Sequence, residues 1–271
     1  MTDLLLDIVR AGLRVYDLGR PMFQGMPQSP NHPPFWHTLP RRHGDIVRPD
    51  GGSAANDMIS TGTHVGTHID ALAHVSHDGL LHGGVDARAA SAGGRFMGMG
   101  VHTIEPMVRR GVLLDVAAAH DDGACPAGYE ITPGDLEATA ARHGVDIAPG
   151  DVLLVRSGWG RRFGGGDAYV GKESGVPGVG EAGARWLAER RPVAVGADTI
   201  AFERLSPGEG HSALPAHRVL LVEHGVYIIE ALDLEELAGA GLAEFTVVVV
   251  PLELVGATGS PVRPLAVVPG A

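Results

Sequence analysis

The stretch HVGTHIDALAH, His64 to His74, limits what this chain can fold into more than any other part of it. It puts His64, His68, Asp70 and His74 within eleven residues. On a helix, HxxxH would set two imidazoles on one face. The neighbouring residues oppose a helix. Gly62 and Gly66 weaken one, and the surrounding Thr, Val and Ile are stiff at χ1 and suit extended chain. In a strand, positions 64, 68 and 70 share a face because both spacings are even. A straight strand would still leave His64 and Asp70 roughly 20 Å apart, at about 3.3 Å per residue. Donors on one metal ion stand about 2.0–2.2 Å from it. The chain must therefore bend between His64 and His68, and Gly66 is placed to allow the bend.

His64, His68 and Asp70 are the expected metal ligands. Two imidazoles and one carboxylate leave positions open for water and substrate, which is the pattern of a catalytic rather than a structural site. Such chemistry needs a proton carrier, and His74 is the expected one, since an imidazole titrates near neutral pH. The alternative role for His74 is a fourth ligand. Of 14 histidines, five (His64, His68, His74, His77 and His82) fall within nineteen residues. No spacing rule assigns His77 or His82 a role, and both are expected beside the site or facing solvent. The one cysteine, Cys125, excludes an internal disulfide framework and a Cys-based metal site. A serine-nucleophile hydrolase is disfavoured because there is no GxSxG elbow and Ser157 lacks an evident base.

The partners are bounded by charge. The chain carries a net charge of −11 with no basic block, which argues against nucleic acid or an anionic membrane and leaves a small molecule. No window approaches eighteen apolar residues, so no membrane span is expected. The N-terminus lacks a basic leader with an unbroken apolar core, so the cytoplasm is the expected compartment.

In chain order, residues 3 to 14 read as a short amphipathic helix and Arg14 to Leu18 as extended. The Pro-rich run from Pro21 to Pro40 reads as surface loop. Its Phe35 and Trp36 are either ordinary packing or an apolar wall over a pocket. Gly111 to Val116 is a strand. Thr132-Pro133 opens a helix that should end at Gly144. Asp151 to Trp159 is a buried strand, 158 to 180 a Gly-rich loop, Glu181 to Arg190 a helix, and Pro192 to Ala197 a strand. Leu214 to His224 is a helix closed by Gly225, followed by a strand from Val226 to Leu232. Leu234 to Ala238 is a short helical turn, and Phe245 to Leu254 a strand too apolar for an exposed edge. Helices alternate with strands while the N-terminal third is mostly extended, so the expectation is one α/β domain over 1–271 with a mixed sheet. His217 and Glu230 bracket a helix-to-strand unit, which can bring both to one sheet edge. Glu230 within an apolar strand needs a cation or donor.

The segment HVGTHIDALAH resembles the HxGTHxDxxxH signature of the cyclase-like metal hydrolases, among them bacterial kynurenine formamidases and isatin hydrolases. AHRVLLVEHGVYIIEALDL and GATGSPVRPLAVV also look like that family, so the likeness covers most of the chain. It implies a swivelling β/β/α fold, a homo-oligomer (dimer or tetramer), and zinc or manganese on His64, His68 and Asp70, with His74 as acid/base. It further implies a second metal that shares Asp70 and takes His217 and Glu230. Asp70 is followed by Ala71-Leu72, where formamidases have a proline. That departure points away from N-formylkynurenine and toward hydrolysis of a cyclic amide, imide or lactone. A metal-dependent ring-forming cyclase of aromatic polyketides and a formamidase are the alternative activities.

Overall fold

A computed structural model describes residues 4–270. A nine-stranded mixed sheet dominates the described residues. Its strands are β1 (Leu13–Asp17), β2 (His68–Asp70), β3 (Met107–Asp115), β4 (Val152–Arg156), β5 (Ala194–Ala197), β6 (Tyr227–Glu230), β7 (Glu244–Val249), β8 (Gly259–Pro261) and β9 (Leu265–Pro269). Their order is β1-β9-β7-β3-β4-β5-β6-β2-β8. β3, β4, β5 and β6 run parallel, and the strands outside them pair antiparallel. A central parallel strand is buried on both faces. All five residues of β4 are buried accordingly.

One face of the sheet is covered by α1 (Pro133–His143), α2 (Glu181–Glu189) and the helical segment 215–224. Leu136, Leu187 and Val219 pack there against Val112, Leu153 and Val195. The other face curls on itself. Tyr16 of β1 and Ile69 of β2 share one cluster with Leu154 and Val247, although their strands lie at opposite ends of the order. α1 begins and ends as its sequence dictates. Thr132 and Asp135 form a reciprocal capping box, worth about 1 kcal/mol, and Gly144 closes the helix in the left-handed region.

Four expectations need correction. The first helix stops at Ala11, because Gly12 takes φ +103° and Leu13 joins the sheet edge. Asp3, where that helix was expected to begin, lies outside the described residues. The Pro-rich run is not all loop. Trp36–Arg41 pairs with Asn56–Ser60 in a hairpin whose register shifts between Thr38 and Arg41. Pro40 sits within that irregularity, where its missing N–H costs no ladder bond. Trp36 is 54% exposed on this hairpin and does not line the cavity at the histidine cluster, whereas Phe35 is buried with Met26, Val65, Trp159 and Tyr169. The Gly-rich segment 158–180 is partly ordered into helical turns, Trp159–Gly165 and Asp167–Val170. Its Gly178–Val179 strand pairs with Glu130–Ile131. Burial of Trp159, Phe163 and Tyr169 outweighs the local glycine content.

Cys125 is buried, and burial pushes its thiol up to about 12, so it is a packing residue and not a nucleophile. No helix among the described residues is long and apolar enough to cross a membrane.

Candidate metal centre

The bend anticipated between His64 and His68 is made at Gly66, whose φ is +70°. Thr67 anchors the turn: its Oγ1 accepts from Arg20 N at 2.8 Å and donates to the Ala231 carbonyl at 2.7 Å. Beyond the turn, β2 pairs antiparallel with β6, placing His68 opposite Glu230 and Asp70 opposite Ile228. β8 lies on the other side of β2 with Gly259 opposite Asp70. A sequence motif and a carboxylate about 160 residues later thus meet through strand pairing.

Asp70 is fully buried at the centre. Its Oδ1 lies 2.7 Å from His64 Nδ1 and 3.5 Å from His68 Nε2. Its Oδ2 lies 3.6 Å from His217 Nε2. Glu230 reaches the same spot, with Oε2 3.4 Å from His68 Nε2 and Oε1 3.2 Å from His217 Nε2. His68 Nδ1 donates to the Gly66 carbonyl at 2.8 Å, which leaves Nε2 as its donor atom toward the two carboxylates. His74 stacks on His64 with ring centroids 3.8 Å apart.

All six residues singled out in the sequence therefore converge. Two triplets of ligand atoms are compact: His64, Asp70 and His74, and Asp70, His217 and Glu230. His68 stands between them, facing a carboxylate of each. The first triplet differs from the expected one in containing His74 in place of His68, so geometry alone leaves His74 able to bind a cation or a proton. His77 and His82 stay outside. His77 is solvent-facing, and His82 Nδ1 bonds the Val222 carbonyl at 3.0 Å.

Burial and the carboxylates pull the cluster in opposite directions: burial works against a charged His217 ring, but Asp70, Glu203 and Glu230 outweigh it and hold its pKa well above the usual range. Burial pushes Glu230 up to about 7, helped by Asp70 and opposed by His217. Burial also opposes ionisation of Asp70, but the imidazoles of His74, His64 and His217 outweigh it and hold its pKa well below the usual range. Burial lowers His68 to about 4 and His74 to about 3, against the pull of Asp70. Both rings are therefore neutral at pH 7, the form in which imidazole ligates or accepts a proton. Asp70 Oδ2 and Glu230 Oε1 are buried and accept no hydrogen bond. Buried carboxylate oxygens without donors are costly unless a cation meets them. The N and O donors, the crowding of carboxylates and these two oxygens all fit a divalent cation.

The cavity above the cluster has a volume of about 210 Å³. Besides the cluster it is lined by His32 and His211, and His32 stacks on His64 at 5.3 Å. Both are absent from the motif and were not picked out from the sequence. Glu203 was missed too. Its buried carboxylate lies 2.6 Å from His217 Nδ1. Its one sequence signal is an acid set among apolar residues, Ile200-Ala-Phe-Glu203.

Gly259 has no room for a side chain, because a Cβ there would stand 2.5 Å from His64 Cε1. Gly259→Ala is expected to push the His64 ring aside and weaken Mn²⁺ or Zn²⁺ binding by about 10–100-fold. Calorimetric titration reads this, and an unchanged affinity would remove His64 from the ligand set.

Comparison with known proteins bears on the family and the fold. The Cyclase family model, described as "Putative cyclase", matches residues 16–204. An isatin hydrolase from Roseibium aggregatum is 25% identical over 226 residues, covering 82% of this chain and 78% of that protein. A crystal structure described as a novel cyclase superposes with TM-score 0.84 at 31% identity, covering 98% of this chain and 93% of the other. Isatin hydrolase A from Ralstonia solanacearum superposes with TM-score 0.75 at 25% identity, covering 98% and 95%.

Proposed function

The chain belongs to the Cyclase family, and on that footing we propose that it is a metal-dependent hydrolase opening an amide, imide or lactone bond of a small cyclic or aryl substrate. The observation that carries this reading is the pair of buried carboxylate oxygens that accept no hydrogen bond, Asp70 Oδ2 and Glu230 Oε1, held among the imidazoles of His64, His68 and His217 beneath a cavity that Glu230 and these rings line. His64, His68 and Asp70 would hold one divalent cation, Zn²⁺ or Mn²⁺, and Asp70, His217 and Glu230 a second. Bound there, a cation supplies Lewis acidity toward a carbonyl and makes water a nucleophile near neutral pH.

The chain's own residues do the rest. Water attacks the carbonyl carbon, a C–O bond forms, and the C–N or C–O bond to the leaving atom breaks. His74, neutral and facing the cavity, takes the water proton and returns it to that leaving atom. A cavity of about 210 Å³ lies below the range of about 300–1,000 Å³ usual for drug-sized ligands. It therefore suits a one- or two-ring molecule, and isatin, the substrate named for two relatives, is a cyclic amide of that size.

The test is turnover of isatin and a panel of imides, lactones and aryl formamides in ¹⁸O-water. Activity should vanish with a chelator, return with Mn²⁺ or Zn²⁺, and place one ¹⁸O in the product. An unlabelled product would overturn hydrolysis in favour of a ring-forming cyclase. His74→Ala is expected to lower kcat by about 10²–10⁴ while cation content, read by elemental analysis, stays the same. Loss of the cation would make His74 a ligand.

A further inference from the structure

We propose that Glu203 is a positioning residue that holds the His217 ring with Nε2 turned toward Asp70 and Glu230. The proposal rests on the metal-dependent reading above. Glu203 is 1% exposed, yet it ligates nothing in the cluster directly. All its side-chain hydrogen bonds go to one place. Oε1 lies 2.6 Å from His217 Nδ1 and accepts from His217 N at 3.1 Å. Oε2 accepts from Ala216 N at 3.0 Å. The helical turn Pro215–His217 has no cap from its own Leu214, so this distant carboxylate satisfies its first free amides. The same carboxylate fixes the ring. Because Nδ1 donates to Glu203, Nε2 is the nitrogen left for a cation, and it is the one 3.2 Å from Glu230 Oε1 and 3.6 Å from Asp70 Oδ2.

The backbone around Glu203 is built to keep it there. Phe202 sits at φ +56°, an unfavourable value for an aromatic residue, and is fully buried. Gly178 lies so close that a Cβ on it would collide with the Glu203 carbonyl carbon. Ala231, directly after Glu230, is also left-handed, at φ +54°. Strained backbone thus adjoins two of the three carboxylates that face His217, Glu203 and Glu230, as happens where surrounding structure dictates a side-chain position for function.

A role as helix cap alone and a role in aiming His217 predict different results. Isotope-labelled protein, metal-free and loaded with diamagnetic Zn²⁺, is read by NMR at the His217 imidazole. Wild type should show a slowly exchanging, far-downfield Nδ1–H resonance in both states. Glu203→Gln keeps the shape but turns an amide NH₂ toward the turn's own donors. It should move that resonance upfield and weaken Zn²⁺ binding at one site by about 10–100-fold. An unchanged affinity in Glu203→Gln, with only Tm lowered, overturns the proposal in favour of a cap. Absence of the resonance from wild type overturns it as well, and decides the matter should the variant not fold. If wild type binds no cation, the metal-dependent reading fails, while the resonance still reports on Glu203 by itself.

Discussion

Asp70→Asn is expected to strip the chain of its cations and lower turnover by at least about a thousandfold, roughly 4 kcal/mol of transition-state stabilisation. The substitution keeps the shape and removes the charge. Asp70 is the residue common to both ligand triplets, so no other single change should reach both. Its Oδ1 faces His64 and His68 and its Oδ2 faces His217, all within 3.6 Å. An asparagine would present a neutral oxygen on one side and an NH₂ on the other. That NH₂ would point at a ring nitrogen and occupy space where a cation needs a lone pair. Elemental analysis of the purified variant checks the first half and the substrate panel checks the second. Retention of a full complement of cation by Asp70→Asn would sink the assignment of this carboxylate as the shared ligand.

The motif was legible because its information is local. Even spacing from His64 to Asp70, a β-branched setting and one glycine specify extended chain with a bend; the φ of +70° at Gly66 is that bend, with His64 in the turn before it and His68–Asp70 in the strand after it. α1 was legible for the same reason, since Thr132, Pro133, Asp135 and Gly144 carry its ends within thirteen residues. The partners of the motif were less so. That His68 sits opposite Glu230 is fixed by the pairing of β2 with β6, and strand order depends on the packing of the whole chain. Glu203 reaches His217 across a left-handed Phe202 that no residue preference forecasts. His32 and His211 come to the cavity on loops, where side-chain position has no periodicity to read. Phe35 and Trp36 left two readings open, packing or a pocket wall, because a Pro-rich run has no periodicity to decide between them; Phe35 packs in the interior, while a bulged hairpin carries Trp36 away from the cavity.

Arg156→Met is expected to produce the largest loss of stability, about 3–5 kcal/mol, because it removes one half of a buried ion pair and leaves the other half uncompensated. Arg156 ends β4, with its side chain 5% exposed. Nη1 donates to Asp115 Oδ1 at 2.7 Å, and Nε and Nη2 grip both oxygens of Glu235 at 3.0 and 2.8 Å. Burial works against the guanidinium charge, and Glu235 and Asp115 outweigh it, raising its pKa. The two acids would not suffer equally. Glu235 is 28% exposed and keeps a 2.8 Å bond from Arg161. Asp115 is 11% exposed and would keep only the Ala118 amide at 3.3 Å. Most of the penalty should therefore fall on Asp115. At about 2–4 °C per kcal/mol for a domain of roughly this size, Tm should drop by about 6–20 °C. Adding Asp115→Asn to Arg156→Met should recover part of that drop, since the stranded charge is gone, while adding Glu235→Gln should recover little. Differential scanning calorimetry of the two double variants decides it. A single-variant loss under about 1 kcal/mol would mean that the network behaves as an exposed surface pair and that solvent reaches Asp115 once the guanidinium is removed.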